Sequence, residues 1–261
     1  MVFVTSDPHG HRDQLVETLQ AAGLVDTSES WSGADATLWV LGDLMDRGPD
    51  GIGTVDLVMR LQGEATDAGG HLGVVLGNHE VLALGMHRFA ERAIEGDPKV
   101  LSFILSWEAN GGHVSDQQAL TAEHIDWMSD LPAMVDLDGH LLLHSDTDAY
   151  LEFGDSIDEI NAAISEVLHG DDIELWWECL HRLTTRHVFA REHGTAAAEE
   201  MMARLDVRRM VHGHSIIADL RGIEPFEVEA PLLYCQRQVL AIDGGMYAGG
   251  PCLVVNLDGW D

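Results

Sequence analysis

The chain has 261 residues, 46% of them hydrophobic, and 45 acidic against 14 basic side chains give it a formal net charge of −31. That length and apolar share allow a sizeable buried core, in one large α/β domain or two small ones. The charge excludes a general nucleic-acid-binding or anionic-membrane surface by repulsion, so an anionic substrate has to be drawn in by something local, such as metal ions. Lys99 is the only lysine. Cys179, Cys235 and Cys252 are far apart, odd in number and form no CxxC, so they read as reduced, buried thiols. The start, "MVFVTSDPHGH", has no basic n-region, and no run is long enough to span a membrane. A soluble, cytoplasmic protein is the expectation.

In chain order, "VFVT" (2–5) reads as a short buried strand, and 11–22 has apolar positions at helical spacing ending at Gly23. "ATLWVL" (36–41) is a second strand, 55–65 a helix, "LGVVL" (72–76) a third strand, and a helix follows from about Glu80. This alternation predicts an α/β fold with a βαβαβ core and a mostly parallel sheet. Residues 92–131 break the pattern with Trp107, Trp127 and a Gly111-Gly112 break. They read as a helical cap inserted into a single domain spanning 1–261. Residues 133–144 read as a hairpin turning at Asp138-Gly139, 155–205 as helix in three pieces, and 208–215 as a strand leading into a loop. The tail alternates strands with glycine turns, which suggests an antiparallel second sheet.

Polar residues sit where the strands end. The first strand runs into Asp7 and His9, the second into Asp43, Asp46 and Arg47, the third into Asn78 and His79. The hairpin runs into His144, and the late strand into His212 and His214. In an open α/β sheet, ligands bind outside the carboxyl ends of the strands, so these five ends predict one site. The donors are oxygen and imidazole nitrogen without thiolate, a set that suits Mn, Fe or Zn in a reactive site. There are enough for two ions: one on Asp7, His9 and Asp43, the other on Asp43, Asn78, His144 and His214, with Asp43 bridging through its two oxygens. Two ions ~3.5–4 Å apart lower the pKa of a bridging water and clamp an in-line displacement. Each piece alone has a plainer reading: His9 as a packed histidine, Asn78 as a helix N-cap, Asp46 and Arg47 as an ion pair in a turn. Together they occur in order, each just after an apolar run.

The set Asp7-x-His9, Gly42-Asp43-x-x-Asp46-Arg47-Gly48, Gly77-Asn78-His79-Glu80, His144 and Gly213-His214 resembles the calcineurin-like metallophosphoesterases. Within them it resembles the phosphoprotein phosphatase branch, for which GDxxDRG and GNHE are highly specific. The tail "LAIDGGMYAGG" is similar to the ending of Shewanella-like phosphatases, and symmetrical diadenosine tetraphosphatases are relatives in the same branch. The resemblance implies a β-sandwich of two mixed sheets flanked by helices. It also implies roles: His79 as general acid to the leaving alkoxide, Asp46 as its orienting partner, and Arg47 as the phosphate clamp. Asn78 is expected to touch substrate as well as metal.

Two departures matter. The family usually follows its His144 equivalent with small residues, whereas this chain has Ser145-Asp146; the side chain of Asp146 is expected to point to solvent or cap a turn. A second phosphate-binding arginine is usual before the final histidine, and of Arg186 and Arg191 the pattern favours Arg186. His212 is expected to be packed behind the site, with His11 and His113 on the surface.

The expected function is therefore hydrolysis of phosphate monoesters by direct attack of a metal-bridging hydroxide, with two divalent ions, Mn²⁺ first and Fe or Zn as alternatives. A phosphoprotein phosphatase acting on Ser/Thr or Tyr phosphates leads. Alternatives are a dinucleoside polyphosphate hydrolase, a small-molecule or nucleotide phosphatase, and a metal-binding interaction protein without catalysis. The partner is a phosphorylated substrate, with no nucleic acid and no membrane, and the sequence leaves the oligomer open.

Overall fold

The parallel core forms because three short β-rich runs each end in a turn and are joined by amphipathic helices. A computed structural model describes residues 1–90, 92, 94 and 102–260. In it β1 (Val2–Thr5), β2 (Thr37–Val40) and β3 (His71–Val74) pair in parallel in the order β3-β2-β1. They alternate with α1 (Arg12–Ala21), α2 (Gly51–Asp67) and α3 (Asn78–Phe89). The second helix starts four residues before the expected 55. Asp50 caps it by accepting from the Gly53 N–H at 3.0 Å, a signal that apolar periodicity does not carry.

The hairpin is β4 (Met134–Leu137) and β5 (His140–Leu143). Asp138 and Gly139 both have positive φ, 54° and 85°, as a two-residue turn matched to strand twist requires. Three helices follow, α7 (Ile157–His169), α8 (Ile173–Thr184) and α9 (Gly194–Arg204), and then β6 (Arg209–His212) and α10 (Ile217–Arg221). Before the hairpin lie α4 (Phe103–Ala109), α5 (Val114–Ala119) and α6 (Ala122–Ser129). The region expected as a cap thus contains three short helices between 103 and 129; its residues 93 and 95–101, and Asp261, lie outside the described residues.

The tail differs from expectation. It does not build its own antiparallel sheet. β7 (Leu232–Tyr234) pairs antiparallel with β8 (Val239–Ala241), but β8 runs parallel to β6, giving the order β4-β5-β6-β8-β7. β9 (Val255–Asn256) crosses to the first sheet and pairs antiparallel with β1. The reason is edge satisfaction: β1 has β2 on one side only, and β9 supplies partners to its other row of backbone groups. Both sheets are therefore mixed.

Strand alternation builds the layers. Val4, Trp39, Leu41, Leu142, Val211 and Leu240, drawn from both sheets, share one buried cluster. Their chain neighbours Phe3, Leu38, Val40, Leu141, Met210 and Val239 join the helices in another. Side chains of period two thus fill a sheet-on-sheet interior on one face and a sheet-on-helix interior on the other. Each fully buried Leu or Val contributes roughly 1.5–3 kcal/mol of transfer free energy. No helix among the described residues is long and apolar enough to cross a membrane. The parallel strands β1, β2 and β3 end on one side, as do β5, β6 and β8. The two sets are stitched where His144 Nδ1 donates to the Leu41 carbonyl at 2.7 Å.

Candidate metal centre

The residues that leave these strand ends share an uncommon backbone. Asp7, His9, Asp43, Asp46, Arg47 and His214 all have left-handed φ, between 42° and 67°. Such conformations cost of order 1–3 kcal/mol each and persist where the surroundings over-determine them. Here the loops are zipped together: the N–H groups of Asp7, His9 and Gly10 donate to the carbonyls of Gly42, Asp43 and Leu44 at 3.1, 2.9 and 2.8 Å. Gly213 and Gly48 let backbones touch. A Cβ on Gly213 would lie 2.1 Å from Asp7 Oδ2, and one on Gly48 2.0 Å from the His9 carbonyl.

The structure brings the expected ligands together around Asp43. Its Oδ2 lies 3.4 Å from His9 Nε2 and its Oδ1 lies 3.3 Å from His144 Nε2. His144 Nε2 is also 3.0 Å from Asn78 Oδ1 and 3.1 Å from His214 Nδ1. All of these side chains are buried. Each imidazole has its other nitrogen on a backbone carbonyl: His9 Nδ1 on Met45 at 3.0 Å, His144 Nδ1 on Leu41, and His214 Nε2 on Thr184 at 3.1 Å. A carbonyl only accepts, so the outer nitrogens donate, and in the neutral rings the lone pairs are on the inner nitrogens. With His144 neutral, its inner lone pair faces an amide oxygen, a carboxylate and the His214 lone pair, a repulsion that a proton on Nε2 or a metal ion among them relieves.

Donor atoms fall into two clusters within 4.8 Å, His9–Asp43–His79 and Asp43–His144–His214. Asp7 belongs to neither. Its Oδ2 accepts from the His214 N–H at 3.0 Å, and its Oδ1 is buried with no hydrogen-bond partner. The orphaned oxygen is the observation that fits a cation beside Asp7. Burial, with Asp43 adding to it, pushes the Asp7 carboxyl up to about 6. Burial alone would raise Asp43 too, but the imidazoles of His144, His79 and His9 hold it well below the usual carboxylate range. Burial opposes charge on His144, yet Asp43 and Asp7 outweigh it and push that imidazole up to about 10. The pocket thus attracts positive charge, and the donor set fits divalent ions.

The remaining expected residues form the other wall. His79 Nδ1 meets Asp46 Oδ2 at 2.8 Å, and the other Asp46 oxygen accepts from the Trp107 indole N–H at 3.0 Å. Arg47 places one nitrogen 3.0 Å from His79 Nε2 and the other 3.1 Å from His9 Nε2, and its guanidinium lies 4.0 Å over the Tyr247 ring. His79 belongs to a donor cluster, but both its nitrogens already face Asp46 and Arg47. Arg186 is half-buried and its charge helps hold the His214 imidazole low, behind the larger effect of burial. Arg191 is exposed and donates to the Arg186 carbonyl at 3.2 Å. Asn78 does not cap its helix: Gly77 is the N-cap, and Asn78 is the first helical residue with its amide turned to His144.

Sequence reasoning missed several participants. Glu80 is fully buried and accepts from the N–H groups of Gly77, Asp43 and Leu44 at 2.9, 2.9 and 2.7 Å. Its place in the GNHE run was the available signal. Trp107 is a core residue whose N–H also serves Asp46. Asp243 follows an apolar strand, as the candidate donors do, and has one buried oxygen without a partner. Asp146 corrects an expectation: it does not reach solvent but is completely buried, while it does accept from a loop N–H. His212 is packed behind the site, bonded to the Tyr234 hydroxyl at 2.7 Å. The three cysteines are buried and free.

A family model described as calcineurin-like phosphoesterase matches residues 1–217. Shewanella-like protein phosphatase 2 of Arabidopsis thaliana is 34% identical over 76 residues, 29% of this chain and 19% of that relative, so the match spans about a fifth of its length. A solved cold-active protein tyrosine phosphatase superposes with TM-score 0.74 at 19% identity, covering 98% of this chain and 74% of the other. A solved putative diadenosine tetraphosphatase superposes with TM-score 0.52 at 17% identity, covering 97% and 92%. At those identities the two structures speak to the fold alone.

Proposed function

The chain belongs to the calcineurin-like phosphoesterases, and from that premise and the site geometry we infer that it is a metal-dependent phosphatase of the phosphomonoesterase type. The observation that carries this reading is Asp43, with one oxygen toward His9 and the other toward His144. One ion is assigned to Asp7, His9 and Asp43 and a second to Asp43, Asn78, His144 and His214, with Mn²⁺ the first choice over Fe or Zn. When bound, such a pair neutralises phosphoryl charge and makes water a competent nucleophile at neutral pH.

The chain's own residues supply the rest. Arg47 and Arg186 grip phosphoryl oxygens; a guanidinium matches two such oxygens at once. His79 donates the proton that the leaving alkoxide needs. Asp46 accepts from His79 Nδ1, which orients the ring and leaves Nε2 as the atom that carries the transferred proton in the imidazolium, and Asp46 is itself held by Trp107. Residues 92–131 are assigned to an inserted cap of a single domain, and its Trp107 donates to Asp46, the partner of the acid. The free, buried thiols suit a reducing compartment, and the cytoplasm is the proposed location.

Substrate choice rests on the walls. A cavity of about 320 Å³ opens at Asn78 between α3, α4 and α8, lined by Leu82, Leu105, Trp177, Leu180 and His181, with no Lys or Arg among its described lining residues. A polyphosphate leaving group would enter it without a counter-charge, on a chain of net charge −31. A neutral leaving group, such as the hydroxyl side chain of a phosphoprotein, fits better. This favours a phosphoprotein phosphatase over a dinucleoside polyphosphate hydrolase. The test is turnover of an aryl phosphate, phosphopeptides and diadenosine tetraphosphate by one preparation with and without Mn²⁺. Metal-dependent release from the first two, and little from the third, is expected. Metals bound without turnover of any substrate would overturn the enzyme reading in favour of a binding protein.

A further inference from the structure

Asp146 lies two residues past His144, where the resemblance leads one to expect a small side chain, and it is completely buried. Its Oδ1 accepts two hydrogen bonds, from the His187 N–H at 3.0 Å and from the Ser215 hydroxyl at 2.5 Å. Its backbone carbonyl accepts from the Val188 N–H at 3.1 Å. The two donors to Oδ1 come from different parts of the fold. His187 follows Arg186 in the loop after α8, and Ser215 follows His214 in the loop after β6.

The same loops are tied around this point. The Ser145 hydroxyl donates to the Leu183 carbonyl, and His214 Nε2 to the Thr184 carbonyl at 3.1 Å. His187 itself has φ of 63°, a left-handed backbone that an ordinary L residue adopts only when held. Without the Asp146 carboxylate, a loop N–H and a buried hydroxyl lose their acceptor together. Water does not replace it readily, because Asp146 and Ser215 have no exposed surface.

We propose that Asp146 is a positioning residue whose Oδ1 locks the loop carrying Arg186 to the loop carrying His214, and so sets the guanidinium against the metal ligands. The inference rests on the phosphoesterase reading for what Arg186 grips. It assigns a use to Oδ1 of a buried carboxylate whose Oδ2 has no hydrogen-bond partner. An amide at this position retains Oδ1, so the proposal distinguishes asparagine from alanine.

The experiment measures inorganic phosphate binding by calorimetry on Mn²⁺-loaded protein for wild type, Arg186→Ala, Asp146→Ala, Asp146→Asn and the Arg186→Ala/Asp146→Ala double variant. Amide hydrogen exchange of residues 186–188 is followed in the metal-free proteins. Asp146→Ala is expected to weaken phosphate about as much as Arg186→Ala, roughly tenfold, with the double variant little worse than either, because residues acting as one unit are non-additive. Exchange at 186–188 should speed up in Asp146→Ala, and Asp146→Asn should remain near wild type in both readouts. Wild-type phosphate affinity and loop protection in folded Asp146→Ala, or losses that multiply in the double variant, would overturn the proposal. Should Asp146→Ala not fold, Ser215→Ala removes one of the two donors with little change of volume. It is expected to weaken phosphate without multiplying the Arg186→Ala loss, and multiplication there also overturns the coupling. Phosphate that fails to bind wild type removes the Arg186 grip and the inference together. Coupled phosphate binding without hydrolysis sinks the hydrolytic reading alone.

Discussion

At Asp43 the two halves of the candidate centre depend on one side chain. Oδ2 faces His9 and Oδ1 faces His144, while Oδ1 also accepts from the His79 N–H at 2.9 Å. Asp43→Asn replaces one of those oxygens by an amide nitrogen, which cannot ligate. Elemental analysis of the purified variant should show both ions reduced together; loss of one alone would contradict bridging. His79 is different, since both its nitrogens are engaged with Asp46 and Arg47. His79→Ala should keep its metals yet lose about 10²–10⁴ in turnover on alkyl phosphates, the usual worth of a positioned general acid. The loss should be much smaller for a leaving group that needs no proton, such as p-nitrophenol. Equal losses on both substrates would remove His79 as the acid.

Among the elements, the start of α3 is held by a residue that is neither ligand nor acid. Glu80 satisfies three backbone N–H groups, one from its own helix start and two from the loop after β2. Burial, with Asp43 nearby, pushes its carboxyl up to about 7. It nonetheless remains, because each orphaned buried N–H would cost about 1–3 kcal/mol. Glu80→Ala should therefore lower stability by about 3 kcal/mol or more, measured by urea unfolding of the metal-free protein. A change below about 1 kcal/mol would show that water substitutes for the carboxylate. The proposed cap contributes at the same scale: α4 carries Trp107 into the interior, and its N–H reaches an aspartate on the loop after β2.

At the scale of the whole molecule, three carboxyl groups are buried together at the centre. Asp7, Asp43 and Asp243 are each about 1% exposed and lie close enough to perturb one another. A ligand that binds only the folded state stabilises it by about 2.7 kcal/mol at a hundred times its Kd. Exhaustive chelation should thus lower the melting temperature by several degrees, and Mn²⁺ should restore it. An unchanged melting temperature with metal demonstrably removed would mean that the carboxylates are neutralised by protons instead.

The local features were legible without coordinates because they are short-range: the apolar runs of β1, β2, β3 and β6, the Asp138-Gly139 turn, and polar residues immediately after each strand. Strand pairing was less so. A three-residue run such as β8 carries no mark of which sheet it joins, and two residues of β9 none at all; the unpaired edge of β1 decides that. The buried fate of Asp146, the reach of Trp107 to Asp46 and the bracing by Glu80 depend on groups 30 to 70 positions away. Hydrogen-bond satisfaction in a closed interior is a property of what surrounds a residue. The chemistry of the donor set is therefore written in local sequence, while the positions and partners of those donors belong to the packed fold.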